Sequence, residues 1–252
     1  MNAVLSPLRP VTSPPLWARA SRLLASKEYA VLAGSDVAEA ADVCDSSWHD
    51  FADHWNRLTL DRHMGDGGRY RLRRYGQFNT QPDGSLLQLP HGPYEQPSYV
   101  NALNGGIPRY FDPLEPGFVA HPVLQGILST LVRIVDAAEG HPSSWNIRLH
   151  PYRILARSGE VGQPTPEGLH RDGVHYIVSM MVRRQNVVGG ESMITDVRRR
   201  LLDSATLTEP MHTFIANDER TMHAVTAISP MIDGVPAYRD VLVVAFTRQE
   251  PA

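Results

Sequence analysis

The feature that most constrains the fold is a series of short apolar segments that begins near residue 144 and continues almost to the end of the chain. Each segment is rich in β-branched and aromatic residues, and turn-forming residues such as Asn186, Gly189 and Asp233 separate them. Strands that follow one another without intervening helices predict an antiparallel barrel or sandwich of the jelly-roll type. The segments are WNIRLHPYRILA, VHYIVSMMV, GESMITD, MHTFIA, TMHAVTAI and RDVLVVAFT.

The first part of the chain has a helical pattern instead. From residue 16 to about residue 60, apolar residues recur at helical spacing, and the stretch from His121 to Glu139 is the most regular amphipathic segment. We therefore expect an α+β fold in which a double-stranded β-helix, the cupin-like jelly-roll core, is flanked by N-terminal helices. The candidates for the buried face of these helices are Trp17, Leu23, Leu24, Val31, Val43, Trp48, Phe51 and Trp55.

A chain of 252 residues is expected to form one domain over residues 1–252. Residues 1–15 are rich in proline and serine and are predicted to be flexible, residues 16–60 to be helical, and residues 69–248 to form the β-rich core around the helix at 121–139. Near the start of this core, alternation predicts a strand with Tyr70, Leu72, Arg74, Gly76 and Phe78 on one side. The irregular segment from residue 80 to residue 117 is a candidate for the substrate side, because long irregular segments are often functional.

Charge and cysteine content exclude several functional classes. The net charge is −3 and the arginine pairs have no excess positive charge behind them, so we expect no nucleic-acid partner. The single cysteine, Cys44, cannot form an internal disulfide and is predicted to be a buried thiol in a reducing compartment. No run of 18 apolar residues exists, and prolines interrupt the N-terminal segment. These features predict a cytoplasmic protein without a membrane partner, and none of them indicates an oligomeric state.

One polar pair stands at the start of the segment VHYIVSMMV. His170 and Asp172 are two residues apart, and side chains at that spacing on a strand point to the same face, so both could bind one metal ion. A His-x-Asp pair carries little weight alone, since chance produces about one in a chain of this composition. A third ligand is needed. His223 in TMHAVTAI is the favoured candidate, and His212 is interpreted as a histidine of a neighbouring strand or of the surface.

Two imidazoles and one carboxylate are the ligand set of non-heme Fe(II) oxygenases, although zinc also accepts these ligands. An iron enzyme of this kind also needs a buried cation for the distal carboxylate of 2-oxoglutarate, and Arg239 begins the last apolar strand. The alternative is that Arg239 lies at an exposed strand end and forms a salt bridge with Asp240 or Glu191.

The stretch PTPEGLHRDGVHYIVSMMVRRQNVVGGESMITD, followed by DERTMHAVTAI and YRDVLVVAF, resembles the Fe(II)/2-oxoglutarate-dependent dioxygenases of the bacterial L-isoleucine dioxygenase family, which hydroxylate free amino acids. The resemblance extends upstream through PYEQPSYVNALNGGIPRYFDPLEP. It implies Fe(II), 2-oxoglutarate and O2 as cofactor and co-substrates, with His170, Asp172 and His223 as metal ligands and Arg239 as the partner of the 2-oxoglutarate carboxylate. Because halogenating relatives lack the carboxylate ligand, Asp172 favours hydroxylation, with release of succinate and CO2.

An amino-acid-like substrate needs a cation for its carboxylate and an acceptor for its ammonium group. Arg153, on the segment LHPYRILA, is the first candidate for an inward-facing cation, and a structural salt bridge is its alternative role. The further candidates are Tyr94, Glu167 and Arg109, while His150 is interpreted as a core residue or as one that supports the ligands. Two other functions stay open: desaturation or cyclisation at the same metal centre, and a metal-binding jelly-roll module without catalysis.

Overall fold

A computed structural model describes residues 14–98 and 105–249. Of residues 1–15, which were predicted to be flexible, residues 1–13 lie outside the described residues. The helices are α1 (Leu16–Lys27), α2 (Gly34–Ala40), α3 (Asp45–Ala52), α4 (Pro116–Val119) and α5 (Pro122–Glu139), with a 3-10 helix at Asp53–Arg57. The strands are β1 (Tyr29–Leu32), β2 (Thr59–Leu60), β3 (Arg71–Arg73), β4 (Gly76–Thr80), β5 (Leu86–Gln88), β6 (Trp145–Ala156), β7 (Tyr176–Gln185), β8 (Val187–Gly189), β9 (Glu191–Asp196), β10 (Leu201–Thr206), β11 (Thr213–Asn217), β12 (Thr221–Val225), β13 (Ile228–Pro230) and β14 (Ala237–Arg248).

One large antiparallel sheet organises the described part of the chain. Its strands follow the order β1-β11-β7-β14-β6-β3-β2, and β4 pairs with β6 and with β5. The last strand, β14, lies at the centre and pairs along its length with β6 on one side and β7 on the other. Both faces of β14 are covered, which explains why residues 241–246 form a continuous apolar run.

The helices cover one face of the large sheet. Leu128 and Leu131 of α5 are fully buried in the same core as Leu242, Val244 and Phe246 of β14. The observed span of α5 agrees with the predicted helix within one residue. Among the described residues, no helix is both long and apolar enough to cross a membrane.

Two smaller sheets cover the opposite face. One has the order β10-β9-β12 and the other pairs β13 with β8. Ile194 of β9 packs in a second apolar cluster with Ile177 of β7 and Val241 of β14. A large sheet under smaller antiparallel sheets, with helices on the outer face, confirms the predicted jelly-roll fold flanked by helices.

The prediction of unbroken helical structure over residues 16–60 is wrong at Tyr29–Leu32, which form β1. Glu28 adopts a left-handed conformation with φ of 69°, which ends α1. The next four residues then pair with β11 and extend the large sheet. Trp17 is 37% exposed and therefore not part of the buried face. Cys44 is exposed, which contradicts the predicted buried thiol.

The strand predicted from Tyr70 to Phe78 is interrupted. β3 pairs with one end of β6 and β4 with another part of the same strand, and Arg74 and Tyr75 lie between β3 and β4. Arg71 and Arg73 are buried before this break, whereas Gly76 and Phe78 are buried after it. Two charged side chains therefore enter the interior, and the five residues predicted to share one side of a strand do not share one face.

Truncating Leu128 should show how far the fold depends on the contact between α5 and the sheet. Leu128 is 0% exposed, so Leu128→Ala is expected to lower the free energy of unfolding by about 2–5 kcal/mol. Urea denaturation followed by circular dichroism measures this change. Ser129→Ala alters the next, exposed residue of the same helix and should leave the midpoint nearly unchanged. Equal effects of the two substitutions would contradict the assigned buried face.

Candidate metal centre

The three predicted metal ligands come from two parts of the chain that pair with each other. His170 lies in the segment that leads into β7, and His223 lies on β12 of the smaller sheet. The two residues form an isolated antiparallel bridge, in which each backbone N–H donates to the carbonyl oxygen of the other at 3.0 and 2.9 Å. This bridge fixes the two imidazoles side by side, with ring centroids 4.4 Å apart.

The side chains of His170, Asp172 and His223 converge, each offering one ligand atom within 4.8 Å of the others. Asp172 Oδ2 lies 3.3 Å from Nε2 of His223 and 3.9 Å from Nε2 of His170. The Nδ1–H group of His170 donates to the carbonyl oxygen of Gly168 at 2.9 Å, which leaves Nε2 with the lone pair that a metal requires. The donor set and its spacing therefore fit one divalent transition-metal ion.

Opposite charges dominate the electrostatics of this triad. Burial raises the pKa of the Asp172 carboxyl, but the hydrogen bond from His223 and the nearby positive charges outweigh burial and hold its pKa below the usual value. Burial likewise lowers the pKa of His223, and the interaction with Asp172 outweighs it and raises this pKa above the usual value. Asp172 is therefore ionised at neutral pH, which is the state that a metal ligand needs.

A buried carboxylate that the sequence reasoning treated only as a turn residue holds the Asp172 segment in place. Asp218 is 0% exposed and accepts hydrogen bonds from the backbone N–H groups of Asp172, Gly173 and Val174 at 3.1, 2.8 and 3.1 Å. Burial and the charge of Asp172 raise the pKa of Asp218. Three consecutive amides bonded to one carboxylate fix the backbone on which Asp172 stands. The Asn-Asp turn at the end of β11 was the only signal for this residue in the sequence.

Arg239 is buried in the same cavity as the triad. It is 2% exposed, and within the described part of the chain neither Nε nor one terminal nitrogen of its guanidinium has a hydrogen-bond partner. Burial, with a smaller contribution from the positive charge of Arg184, lowers the pKa of Arg239 to about 10. The predicted alternative of an exposed salt bridge is wrong, because the carboxylate of Asp240 pairs with Arg153 instead.

The triad and Arg239 line one cavity of about 100 Å³. Alternation along the central strands explains its walls, because Arg239, Val241, Val243 and Ala245 point into the cavity while the residues between them face the helices. The cavity combines apolar walls with a few convergent polar groups, as ligand-binding sites do. The remaining lining residues include Tyr94, His150, Tyr152, Ile154, Thr165, Glu167, Ile177, Ser179, Phe214 and Val225.

A smaller chamber of about 50 Å³ adjoins this cavity, and Asp172 lines both. Of the predicted substrate residues, Tyr94 and Glu167 line both spaces and Arg109 lines the chamber. The chamber also contains two arginines that the sequence reasoning missed, Arg71 and Arg73. The signal available in the sequence was the spacing Arg71-Leu72-Arg73, which puts both arginines on one face of a strand. The phase of alternation changes at the break between β3 and β4, so the single strand predicted there placed the arginines on the side opposite to Gly76 and Phe78.

The structure does not bring Arg153 to the site. His150 and Arg153 are three residues apart on β6, so their side chains lie on opposite faces of the strand. His150 faces the cavity, whereas Arg153 donates to both carboxylate oxygens of Asp240 at 2.7 and 2.8 Å and to Asn56 at 3.0 Å. Arg153 therefore forms the structural salt bridge that was the alternative prediction.

Fe(II) binding by two variants should show whether His223 or His212 is the third metal ligand. His223→Ala removes a nitrogen of the triad and is expected to abolish Fe(II) binding, as measured by anaerobic titration calorimetry. His212→Ala serves as the matched control, because His212 immediately precedes β11 and does not line the cavity. Retained Fe(II) affinity in the His223→Ala protein would contradict the triad.

Removing the support of Asp172 should weaken metal binding without removing a ligand. Asp218→Ala leaves three backbone N–H groups without their acceptor, so Fe(II) affinity is expected to fall by about 10–100-fold. The same anaerobic titration measures this fall, and circular dichroism checks that the protein remains folded. Unchanged affinity in a folded variant would show that Asp218 does not position Asp172.

Comparisons with known proteins agree with this geometry. 3(1)-hydroxy-L-isoleucine 4-dioxygenase of Pantoea ananatis (strain AJ13355) is 27% identical over 237 residues, which cover 90% of this chain and 94% of that protein. L-isoleucine-4-hydroxylase of Bacillus thuringiensis is 25% identical over 191 residues, covering 73% and 77%. The crystal structure of a bsmA homologue from Methylobium petroleophilum PM1 matches with a TM-score of 0.84 and 32% identity, covering 96% of this chain and 98% of the other.

A family model described as 2OG-Fe dioxygenase matches residues 52–245. The matched region contains the metal triad, Asp218 and Arg239, and it spans most of the chain. The chain therefore belongs to the 2OG-Fe dioxygenase family, whose members use Fe(II), 2-oxoglutarate and O2.

Proposed function

We propose that this protein hydroxylates an unactivated C–H bond of a free L-amino acid or a close derivative. Family membership supplies the reaction class, in which 2-oxoglutarate is converted to succinate and CO2. Two relatives are named for their action on L-isoleucine or its hydroxy derivative, which supports the substrate class. The small cavity beside the triad also fits a small molecule.

His170, Asp172 and His223 are proposed to hold Fe(II). Three protein ligands leave the other coordination positions open for the co-substrates, and bound Fe(II) with 2-oxoglutarate and O2 supplies the oxidising chemistry. The contribution of the protein is then to fix the position of the ligands and of the substrate. The bridge between His170 and His223 and the three amides bound by Asp218 provide the rigid frame that this task needs.

Arg239 is proposed to bind the distal carboxylate of 2-oxoglutarate. The observation that carries the proposed function is the combination of the metal triad with an unpaired, buried guanidinium in the same cavity. A buried charge without a partner is costly, and an anionic ligand that reaches Arg239 while binding the metal would remove that cost. The planar guanidinium can donate two parallel hydrogen bonds to a carboxylate.

Tyr94, Glu167 and Arg109 are proposed to contact the substrate, because all three line the cavity or the adjoining chamber. The Glu167 carboxylate lies 3.5 Å from Nε2 of His170 and is 27% exposed, so it can accept a hydrogen bond from an ammonium group that enters from solvent. We also propose that residues 1–252 form a single domain that acts in the cytoplasm without a nucleic-acid partner. The net charge of −3 and the single cysteine support this proposal.

A substrate screen tests the proposed function. Purified protein with Fe(II), ascorbate and 2-oxoglutarate is incubated with each free L-amino acid, and succinate and products heavier by one oxygen atom are measured. We expect substrate-stimulated succinate and a hydroxylated product with at least one amino acid. A product that has lost two hydrogens would indicate desaturation or cyclisation. Tight Fe(II) binding by folded protein without stimulated turnover would indicate a metal-binding module without catalysis.

Substitution of Arg239 tests its role separately. Arg239→Met removes the cation but keeps a long apolar side chain, so the affinity for 2-oxoglutarate is expected to fall by about 10–100-fold because a charged hydrogen-bonding partner is lost. Anaerobic calorimetry on the Fe(II)-loaded protein measures this fall, and Fe(II) affinity itself should change little. Arg153→Lys is the control, since Arg153 lies on the other face of the sheet. Wild-type affinity for 2-oxoglutarate in Arg239→Met would contradict the assignment.

A further inference from the structure

The chamber beside the metal triad contains two buried arginines, Arg73 and Arg109, and neither donates a hydrogen bond to a described carboxylate. Arg73 is 2% exposed and Arg109 is 3% exposed. Arg109 donates to the amide oxygen of Gln96 at 2.7 Å, a neutral partner, and its Nε has no partner among the described residues. Arg73 donates to Nδ1 of His150, also a neutral partner, and its Nε is likewise unpaired within the described chain.

The carboxylates near the chamber have other interaction partners. Asp61 accepts from Nε and a terminal nitrogen of Arg71 at 2.8 Å each and lies 3.6 Å from Arg73. Of the described carboxylates that line the chamber, Asp172 belongs to the metal triad and Glu167 approaches His170. Asp61 therefore forms hydrogen bonds with Arg71 and a longer ion pair with Arg73, whereas no described carboxylate lies within salt-bridge distance of Arg109.

Aromatic rings hold both guanidinium groups at defined positions. The Arg73 guanidinium lies 3.6 Å from the ring centroid of Phe111 and 4.6 Å from that of Tyr152. The ring of Tyr94 contacts both arginines, with centroid distances of 4.8 Å to Arg109 and 5.6 Å to Arg73. Such contacts reduce the freedom of both side chains, so little further ordering is needed when an anion binds.

His150 is neutral and adds no positive charge near Arg73 and Arg109. Burial, followed by the positive charges of Arg73, Arg148 and Arg109, lowers the pKa of His150 well below its usual value. A neutral His150 accepts a hydrogen bond from Arg73 and adds no positive charge of its own. The guanidinium groups of Arg73 and Arg109 in the chamber therefore lie near a neutral imidazole, and together they can bind a small anion.

We propose that Arg73 and Arg109 together bind the α-carboxylate of the amino-acid substrate, a refinement that rests on the proposed function. The two arginines lie in the chamber and Arg239 lies in the main cavity, so the carboxylate of the substrate and that of 2-oxoglutarate have separate cations. With its carboxylate in the chamber, the amino acid directs its side chain past Asp172 towards the metal triad. Recognition of this kind requires a free carboxylate and excludes amino acids whose carboxyl group is amidated or in a peptide bond.

A chemical probe tests the inference without altering the protein. The twenty proteinogenic L-amino acids and their α-carboxamides are compared as substrates of the Fe(II)- and 2-oxoglutarate-loaded enzyme, with stimulated succinate formation as the readout. For each amino acid that is turned over, we expect kcat/KM of the carboxamide to be lower by about 10–100-fold or more, because a charged hydrogen bond is lost. A carboxamide that reacts as well as its acid would overturn the inference and leave the proposed function intact.

If no amino acid or carboxamide stimulates succinate formation, both the inference and the proposed substrate class are wrong. Binding of 2-oxoglutarate to the Fe(II)-loaded protein, measured in the same preparation, then shows whether the co-substrate site assigned to Arg239 is nevertheless intact.

Variants of Arg109 provide the second test. Arg109→Gln is expected to raise KM for the free acid by about 10–100-fold and to reduce the preference for the acid over its carboxamide. Arg109→Lys keeps the charge and should partly restore the KM for the free acid and the preference for the acid over its carboxamide. Arg153→Lys, the matched control, should change neither the KM nor this preference. The affinity for 2-oxoglutarate should remain that of the wild type in every variant. A wild-type preference for the acid in folded Arg109→Gln would overturn the role of Arg109.

Arg73→Lys completes the test. It is expected to raise KM for the free acid and leave 2-oxoglutarate binding unchanged. Arg73 is deeply buried, so circular dichroism first checks that this variant is folded, and the Arg109 variants and the carboxamide comparison decide the inference without it.

Discussion

The alternation of side chains along the central strands is the constraint on which the rest of this structure depends. β14 is covered on both faces, so its central residues alternate between the helix-facing core and the cavity. Leu242 and Val244 bury against the helices, and Val241 and Val243 between them line the cavity. The same strand that stabilises the fold therefore also carries Arg239 into the site. A shift of one residue in its pairing would exchange the two faces and remove the site together with the core.

The same alternation explains which parts of the molecule the sequence could predict. Long apolar strands, helix α5 and the spacing of His170 and Asp172 are local patterns, and the fold and the convergence of the triad agree with them. Arg153 was misassigned because its distance of three residues from His150 places it on the opposite face. Arg73 was missed because a break between two short strands changes the phase of alternation, and nothing local in the sequence marks that break. The pairing of β1 with β11 joins distant segments and was equally invisible.

Buried charge without a protein partner is what distinguishes the site from the rest of the interior. Asp240 and Asp61 are buried too, but Arg153 and Arg71 neutralise them, and such pairs serve the fold. Arg239 has no such partner among the described residues, and we propose that an anion bound during function pairs with it in the cavity. The metal triad lies in the same cavity, where the carboxylate of Asp172 and one nitrogen of each imidazole converge within 4.8 Å of one another.

The central claim is that Fe(II), 2-oxoglutarate and a free amino acid react together at one site. The ratio of succinate formed to amino acid hydroxylated, measured in one reaction by mass spectrometry, tests this claim most directly. The account predicts a ratio close to one for the preferred amino acid, and loss of both products together when Asp172 is replaced by alanine. Succinate formation that is independent of every free amino acid, or hydroxylation that persists without 2-oxoglutarate, would contradict it.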